Sequence, residues 1–375
     1  MSCLIVEATD GYARTGCVTT RRGTFRIPAF MPVGTHGGVR ALHPDEVREC
    51  GAEIVLSNAY HLALRPGLDV VERAGGIHGF MGWDGPILTD SGGYQLVSLA
   101  GAARIDNGGA VFVSPYDGTR LRVTPEEAVS IQSRLGADVI MCLDQPVAFG
   151  AGAGAAAAAT ARTHRWAQRC VAAHPGDGAL LFGIAQGGFD EGTRRESAAF
   201  IAALGFDGNA VGGLSVGEPI AVMEAMARAS TEELPEDRPR YFMGLGTDEE
   251  LLTMVGMGID MFDCVVPTRL ARNGTALTAD GRLSLRNSVF RDDLRPIDDA
   301  CACQACARFS RAYLRHLFTA GEILAHRLVS IHNITHLSRL MRAAAAAIRE
   351  QRFEAFRREV SDRLRGREPA GPRLN

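Results

Sequence analysis

Eight short apolar segments recur along the chain, and each ends in small or polar residues and is followed by a helix-like stretch. Continuous apolar runs separated by helices are typical of parallel strands that are buried on both faces of a sheet. Over 375 residues, eight such units predict a closed (β/α)8 (TIM) barrel, with a doubly wound open sheet as the alternative. The segments are residues 28–35, 53–60, 86–93, 139–144, 181–188, 208–213, 241–246 and 258–262.

Three stretches between the strands give local predictions. Thr124-Pro125-Glu126-Glu127 combines an N-cap, a proline suited to a first turn and acids that suit the helix dipole, so a helix begins there. Residues 151–159 are an Ala/Gly run whose glycines predict a loop that enters a helix over residues 160–173. Residues 101–123 contain turn signals and predict a β-hairpin insertion.

The composition is that of a globular protein, with 46% hydrophobic and 22% charged residues. The formal net charge of -3 gives no general attraction to nucleic acid or membranes, so any RNA contact must be a local patch. All 40 basic residues are arginine, whose planar fork is always charged. The sequence contains neither a secretory signal nor an apolar run of about 18 residues, which predicts a cytoplasmic protein that spans no membrane.

Polar residues follow several of the apolar segments, at the point where each strand is predicted to end. They are Asp90, Asp144, Gln186, Gly213 and Asp263. In a closed barrel these ends meet on one rim, where three crowded carboxylates raise one another's pKa values and suit acid–base and nucleophilic work. Any one strand-end Asp could instead cap a helix, but three of them with a Gln are hard to explain in that way.

The stretch around Asp263 combines a carboxylate with two permanent cations. Asp263 follows a short apolar strand, and Pro267 is expected to interrupt the structure after it. Arg269 and Arg272 are therefore predicted in a loop that also holds Asn273-Gly274, where they could hold a phosphate chain. The alternative is an ordinary loop with an Asp–Arg pair.

Glycine pairs and two large side chains adjoin the same strand ends. Gly92-Gly93, Gly187-Gly188 and Gly212-Gly213 would let the backbone approach a flat ligand, or they form simple tight turns. Tyr94 and Met243 could sandwich an aromatic base, although each could equally be part of the core.

A cysteine cluster near the C-terminus has the spacing C-x-C-x2-C-x25-H, formed by Cys301, Cys303, Cys306 and His332. Three thiolates and one imidazole complete a tetrahedral zinc site, and no ligand position remains open, so the metal is predicted to be structural. Nine cysteines, an odd number, also favour a reducing compartment over a disulfide framework. We expect one barrel domain over residues 1–375, with a zinc-binding subdomain over residues 290–335. The alternative is a set of independent buried thiols.

These motifs together resemble the tRNA-guanine transglycosylases (queuine tRNA-ribosyltransferases) in their shorter bacterial form, over residues 24–342. The resemblance is carried by several separate motifs in the same order. They are Ser57-Asn58-Ala59-Tyr60-His61-Leu62, Thr89-Asp90-Ser91-Gly92-Gly93-Tyr94-Gln95, Gln186-Gly187-Gly188, the run from Val211 to Pro219, Met261-Phe262-Asp263-Cys264 and the Cys3His cluster.

The resemblance implies a (β/α)8 barrel with one structural Zn2+ per subunit. It implies that guanine at the wobble position of a tRNA anticodon loop containing U-G-U is exchanged for a 7-substituted 7-deazaguanine. By matching position, Asp263 is the nucleophile that attacks ribose C1′ and Asp90 is the general acid/base. The residues implied to bind the base are Asp144, Gln186, Gly213, Leu214 and Ser91, with Tyr94 and Met243 stacking on it. Arg269 and Arg272 are implied to contact the anticodon loop.

One position departs from the bacterial pattern. Gln145-Pro146 follows Asp144 where the bacterial enzymes have Glu-Cys, and the eukaryotic queuine-using enzymes also lack that Cys. Val216 nevertheless matches the bacterial residue. We therefore favour 7-aminomethyl-7-deazaguanine as the incoming base, with queuine as the alternative.

Two other classes of protein compete with this interpretation. A non-catalytic RNA-binding subunit is disfavoured because Asp263, Asp90 and the metal ligands are all present. A zinc-dependent barrel hydrolase is disfavoured because a catalytic zinc keeps an open position. The resemblance also implies a homodimer, with Tyr313 and His316 at family interface positions. Alternatively, the basic, aromatic-bearing helix that holds them contacts RNA or is simply solvated.

Overall fold

The computed structural model describes residues 2–93, 103–114 and 117–366, and these contain four sheets. The strands are β1 (Leu4–Asp10), β2 (Ala13–Thr20), β3 (Gly23–Ile27), β4 (Ala29–Gly34), β5 (Val55–Asn58), β6 (Ile87–Asp90), β7 (Ala103–Asp106), β8 (Gly109–Val113), β9 (Arg120–Val123), β10 (Val139–Met141), β11 (Leu180–Ala185), β12 (Gly208–Val211), β13 (Arg240–Phe242), β14 (Met261–Cys264), β15 (Thr275–Thr278) and β16 (Gly281–Ser284).

The central sheet is a closed barrel of eight strands, in the order β4-β5-β6-β10-β11-β12-β13-β14. Every neighbouring pair is parallel, and β14 pairs with β4 to complete the ring. All eight strands coincide with the apolar segments of the sequence, because a parallel strand buried on both faces needs an unbroken apolar run. The (β/α)8 prediction is therefore confirmed, and the open sheet is excluded.

Helices connect and flank these strands. They are α1 (Pro44–Glu49), α2 (Ala59–Leu62), α3 (Leu68–Arg73), α4 (Gly76–Met81), α5 (Pro125–Leu135), α6 (Ala153–Ala173), α7 (Glu191–Ala203), α8 (Ile220–Thr231), α9 (Asp248–Val255), α10 (Val266–Arg272), α11 (Gln304–Arg308), α12 (Arg311–Ala320), α13 (Ile323–Arg349) and α14 (Phe353–Arg365), with an irregular helical turn at Ala63–Gly67 and a 3-10 turn at Ser288–Phe290. Within the described residues, no helix is long and apolar enough to cross a membrane.

Local sequence signals explain where several helices begin. The hydroxyl of Thr124 accepts a hydrogen bond from the amide of Glu127, and the Glu127 side chain accepts one from the amide of Thr124, so α5 begins with the predicted capping box. Gly136 ends this helix in the left-handed conformation. The prediction of a loop over residues 151–159 is wrong, since α6 already begins at Ala153. Successive alanines outweigh the single interior glycine, Gly154.

Two further predictions are corrected. The insertion over residues 101–123 is a three-stranded antiparallel sheet, β7-β8-β9, instead of a two-stranded hairpin; residues 101–102 and 115–116 lie outside the described residues. Arg269 and Arg272 lie in the last turn of helix α10, and not in a loop. Pro267 is in the first turn of that helix, where its missing N–H has no partner to lose, so it starts a helix instead of preventing one.

Two hydrophobic clusters form the core. The larger one fills and surrounds the barrel, with Phe182, Phe242 and Phe262 fully buried on three of its strands. The second cluster lies between α1–α4 and the C-terminal segment, and it includes three cysteines of the predicted metal site. Helix α13 contacts α10, α11 and β15, so it joins the cysteine segment to the barrel end that follows β14.

Candidate active site and metal centre

The residues predicted at strand ends all lie at the carboxyl-terminal ends of barrel strands. Asp90 is the last residue of β6, and Asp263 is the third residue of β14. The others follow their strands by one to three residues: Asp144 after β10, Gln186 after β11, Gly213 and Leu214 after β12, Met243 after β13 and Ser91 after β6. Tyr94 lies outside the described residues. Since the strands are parallel, these groups share one rim of the barrel.

Two donors hold the carboxylate of Asp263. The phenol of Tyr241 donates to Asp263 Oδ1 at 2.6 Å, and the amide of Gly244 donates to the same oxygen at 3.1 Å. Burial raises the pKa of Asp263 above its ordinary value, while both hydrogen bonds lower it. The second carboxylate oxygen, Oδ2, has no hydrogen-bond donor among the described residues. Asp263 is thus fixed in orientation through one oxygen, and the other is available to react.

Asp90 is held from the neighbouring strand β5. Asn58 Nδ2 donates to Asp90 Oδ2, and the amide of Ala59 donates to Asp90 Oδ1 at 3.0 Å. Burial raises the pKa of Asp90 to about 7, and the negative charges of Asp263 and Asp144 contribute to the rise. A carboxyl group with this pKa can both give and take a proton at neutral pH, as general acid–base catalysis requires.

Asp144 and Gln186 form a buried polar pair beside these carboxylates. Gln186 Nε2 donates to Asp144 Oδ2 at 2.6 Å, and the two side chains are 1% and 5% exposed respectively. Burial raises the pKa of Asp144 to about 6, and the bond from Gln186 lowers it. At pH 7 the pair therefore presents a carboxylate, which only accepts hydrogen bonds, next to an amide, which can donate and accept.

Gly93 and Gly213 leave the space that the side chains of Asp144 and Gln186 occupy. A Cβ on Gly93 would collide with Asp144 Oδ1, and one on Gly213 would collide with Gln186 Oε1. Gly213 also has a φ of +66°, where side chains are strained. The sequence leaves open whether these glycines let the backbone approach a ligand or form tight turns. In the structure the two polar side chains of the pair approach them.

Three groups at the rim were not singled out from the sequence as site residues. Asn58 and Tyr241 hold the two carboxylates from neighbouring strands. Arg194, at the start of α7, is fully buried behind the loops that follow β11 and β12. Asn58 stood within a matched motif and Tyr241 within a predicted strand. Their partners come from other strands, so spacing along the chain gave no signal of the contact.

A group of cations adjoins the rim. It comprises Arg40, Arg269 and Arg272, and no carboxylate of the described residues lies within ion-pair distance of any of them. Burial lowers the pKa of Arg272, and the charges of Arg40 and Arg269 lower it further. Arg272 Nη1 is buried and has no hydrogen-bond partner among the described residues. Unpaired, mutually repelling guanidiniums are suited to binding an anion.

The predicted metal ligands Cys301, Cys303, Cys306 and His332 are brought together. Their ligand atoms all lie within 4.8 Å of one another, and all four residues are buried. His332 Nδ1 faces the thiols, at 3.2 Å from the Sγ of Cys306. His332 Nε2 is 2.7 Å from the carbonyl of Leu277, so Nε2 carries the proton and Nδ1 keeps the lone pair that a metal needs. This donor set therefore fits one metal ion.

The residue after His332 joins the cluster to the cationic helix. Asn333 Oδ1 accepts from the amide of Leu277 at 2.8 Å. Its Nδ2 donates to the carbonyl of Pro267 in α10 at 3.0 Å and to that of Thr275 at 3.1 Å. The helix that bears Arg269 and Arg272 is thus fixed to the helix that supplies a metal ligand.

Known proteins are similar to this chain in sequence over almost its whole length. Residues 9–365 match the profile of the family described as queuine tRNA-ribosyltransferase. A queuine tRNA-ribosyltransferase of Solidesulfovibrio magneticus is 51% identical over 353 residues, covering 94% of this chain and 95% of that protein. One from Nitratidesulfovibrio vulgaris is 50% identical over 355 residues, covering 94% and 95%. One from Thermus thermophilus is 48% identical over 363 residues, covering 97% and 94%.

Proposed function

Because the chain belongs to the queuine tRNA-ribosyltransferase family and is a pentosyltransferase, we propose that it exchanges guanine at the wobble position of G-U-N anticodons for a 7-substituted 7-deazaguanine. The observation that carries the proposal is the pairing of two unlike carboxyl groups on one rim. Asp263 is fixed by Tyr241 and Gly244 with one oxygen available, and Asp90 has a pKa of about 7. Base exchange with retained configuration needs both a nucleophile and a separate acid/base.

In the first displacement, Asp263 attacks ribose C1′ and forms an ester bond. The bond from C1′ to the guanine nitrogen breaks, and its electron pair leaves with the base. The proton on Asp90 passes to the departing guanine, which leaves as a neutral molecule. Tyr241 and Gly244 stabilise the attacking carboxylate in its reactive orientation.

In the second displacement, the incoming base transfers its N9 proton to Asp90. Its nitrogen then attacks C1′, and the ester bond to Asp263 breaks with return of the electron pair to the carboxylate. Asp90 regains the proton that it lost, so the two steps leave both carboxyl groups as they began. No redox step or nucleotide hydrolysis occurs, and the exchange requires no organic cofactor.

Asp144 and Gln186 supply the chemistry needed to read a guanine edge. The Asp144 carboxylate accepts from the ring N–H and exocyclic amine, while Gln186 and the amides of Gly213 and Leu214 donate to the carbonyl oxygen. Ser91 is placed on the same rim, 8% exposed. We assign stacking on the base to Met243, which lies half-buried after β13, and to Tyr94 on the strength of its sequence position.

Arg269 and Arg272 bind phosphates of the anticodon loop that carries U-G-U. Support comes from their unpaired charges and from the buried Nη1 of Arg272, which an RNA phosphate would satisfy. Because the overall charge of -3 gives no general attraction to RNA, the attraction must come from a local patch, and these arginines supply one at the rim.

For the incoming base we favour 7-aminomethyl-7-deazaguanine over queuine. Val216 supports the precursor base, as it matches the bacterial sequence. Gln145, which stands beside Asp144, accepts a hydrogen bond from Arg162 on α6. The backbone amide of Gln145 donates to Thr163 Oγ1 at 3.0 Å, so the residue that follows Asp144 is fixed to α6. Competitive incorporation of the two bases into tRNA tests this assignment. A strong preference for queuine would contradict it.

We assign one Zn2+ to the Cys3His cluster, in a subdomain over residues 290–335. Four protein ligands leave no position for substrate, so the ion supports the fold and takes no part in the exchange. Zinc has the soft-ligand preference and tetrahedral geometry that three thiolates and an imidazole suit.

The surface of this segment supports a homodimer. Leu294 and Ile323 are exposed on it at 81% and 73%, and Val289, directly before the segment, is 70% exposed. Tyr313, in the same segment, stacks on Phe309 and is 38% exposed. A second copy of the chain would cover these exposed apolar side chains. Sedimentation of Tyr313→Ala, with Tyr12→Ala as the exposed control, tests the assignment.

The exchange itself is tested by trapping on denaturing gels. Wild-type protein is incubated with an anticodon stem-loop carrying U-G-U, with and without a 7-deazaguanine base. We expect a covalent RNA–protein band that Asp263→Asn lacks. Binding of the stem-loop without this band, and without exchange of labelled guanine, would identify a non-catalytic RNA-binding subunit instead.

A further inference from the structure

Arg194 is a buried cation that bonds only to backbone carbonyls in the described residues. Its side chain is 0% exposed. Nε donates to the carbonyl of Gly188 at 2.9 Å, and Nη1 donates to that of Gly212 at 2.7 Å and to that of Ala185 at 3.4 Å. Nη2 donates to the carbonyl of Gly213 at 3.5 Å. One guanidinium therefore joins the loop after β11 to the loop after β12.

No carboxylate of the described residues forms an ion pair with Arg194. Burial lowers the pKa of its guanidinium to about 9, opposed by the charge of Glu218, so it is still protonated at pH 7. An unpaired buried charge is costly, and each of its bonds to a carbonyl offsets part of that cost. A neutral side chain would join the two loops without this cost, so the charge itself calls for an explanation.

The explanation lies in the two peptide groups that Arg194 contacts. In a trans peptide the C=O and the following N–H point in opposite directions. The carbonyl of Gly212 faces Arg194, so the amide of Gly213 points away from Arg194. The carbonyl of Gly213 also faces Arg194, so the amide of Leu214 points away from it as well. Neither amide has an acceptor among the described residues.

We propose that Arg194 is a positioning residue for base recognition, which orients the peptides Gly212–Gly213 and Gly213–Leu214 so that both N–H groups face the carbonyl oxygen of a guanine-type base. The inference rests on the proposed function, because it assumes that such a base occupies the rim beside Asp144 and Gln186. The cation also polarises both peptides, which strengthens their N–H groups as donors. The bond to Gly188 fixes the loop of Gln186 relative to these amides.

Calorimetric titration with guanine and with 6-thioguanine tests this role. 6-Thioguanine keeps the ring N–H and the exocyclic amine that Asp144 would bind, but it presents a weakly accepting sulfur in place of the oxygen. The variants are Arg194→Lys, which keeps the charge but not the fork, and Arg194→Gln, which loses the charge. The control is Arg195→Gln, the adjacent residue of α7, whose side chain is 39% exposed and pairs with Glu232.

We expect both Arg194 variants to bind guanine about tenfold more weakly or worse, the equivalent of losing one or two well-oriented hydrogen bonds. Their affinity for 6-thioguanine should change by less than about threefold. The control should match the wild type with both ligands. Folded variants that bind guanine with wild-type affinity, or that lose affinity for both ligands equally, would overturn the inference.

If both variants fail to fold, amide hydrogen exchange of the wild type replaces the comparison. Guanine should protect the amides of Gly213 and Leu214, and 6-thioguanine should protect them much less. Absence of protection by bound guanine overturns the role of Arg194. Failure of the wild type to bind guanine at all would instead contradict the proposed function, so the two failures are distinguishable.

Discussion

The Cys3His cluster and the acidic rim are both dense groups of titratable side chains, but they are built in opposite ways. In the cluster, four donor atoms converge within 4.8 Å, and the second nitrogen of His332 is bound to a backbone carbonyl. At the rim, three carboxyl groups are held separately by Asn58, Gln186 and Tyr241. The cluster is complete once one ion is bound, whereas the rim presents unsatisfied groups to a ligand.

The electrostatics of the two regions differ accordingly. Burial raises the pKa of Asp90, Asp144 and Asp263, so each carboxylate at the rim opposes the folded state when it ionises. A metal ion would neutralise the thiolates of the cluster and stabilise the fold. With a metal ion bound, the cluster would add stability, whereas the rim keeps ionisable carboxyl groups buried at a cost in stability.

Removal of the metal should have the largest effect. Structural zinc contributes roughly 10–16 kcal/mol in peptide models, more than the free energy of unfolding of a typical domain. A strong chelator, or Cys303→Ser, should therefore unfold at least the C-terminal segment and release α10 from Asn333, as measured by circular dichroism and metal content. Cys17→Ser, outside the cluster, should leave both unchanged. A protein without metal that melts at the wild-type temperature would show that the cluster is not the stabilising region.

Asp263→Asn should have the opposite profile, with loss of activity and an intact fold. An amide cannot form the ester with C1′, so we expect exchange of labelled guanine to fall by about four orders of magnitude. Since a buried ionisable carboxyl is removed, the melting temperature should stay equal or rise. The surface variant Asp237→Asn should have wild-type activity. Substantial residual exchange would mean that another group is the nucleophile.

Asp90 should make stability depend on pH in a defined direction. Its pKa in the folded protein is about 7, above the ordinary value of 3.8, so the folded state holds this proton more tightly than the unfolded state. The resulting penalty is complete above pH 7 and disappears as the pH falls towards 4. Asp90→Asn should therefore be more stable than the wild type at pH 8, by on the order of 2–4 kcal/mol, and the difference should shrink at pH 4.

Denaturant unfolding at the two pH values measures this difference. Asp237→Asn, which removes an exposed carboxyl, is the control and should show no such dependence. A variant less stable than the wild type at pH 8 would mean that the bonds from Asn58 and Ala59 outweigh the cost of burial.

Much of the acidic rim and of the Cys3His cluster could be predicted from the sequence, because both have recognisable patterns along the chain. The apolar runs gave the barrel strands, and residues at their ends gave Asp90, Asp144, Gln186 and Asp263. The spacing of the cysteines predicted the cluster. Because these three ligands lie close together in the sequence, they can be recognised without knowledge of the tertiary structure.

The errors have identifiable physical causes. Pro267 predicts an end to regular structure and hence a loop for Arg269 and Arg272, but a proline in a first turn also begins a helix, as it does in α10. Asn58, Tyr241 and Arg194 were not selected because each acts on a group from another strand or loop. Local periodicity does not report contacts of that kind, which depend on how the barrel closes.

The smallest effect is expected at the cations that adjoin the rim. Arg272→Gln removes one unpaired guanidinium, which repels Arg40 and Arg269 in the free protein. Binding of the stem-loop should weaken by about tenfold, and the slope of log K against log salt should fall by about one unit, because one phosphate contact is lost. The control Arg195→Gln removes a guanidinium that is already paired with Glu232, so its slope should equal that of the wild type. Stability should stay level or rise slightly, since a like-charge contact disappears. An unchanged salt slope for Arg272→Gln would mean that the orphaned Nη1 does not face a phosphate and that this cation belongs, like the cluster, to the part of the molecule that only supports the fold.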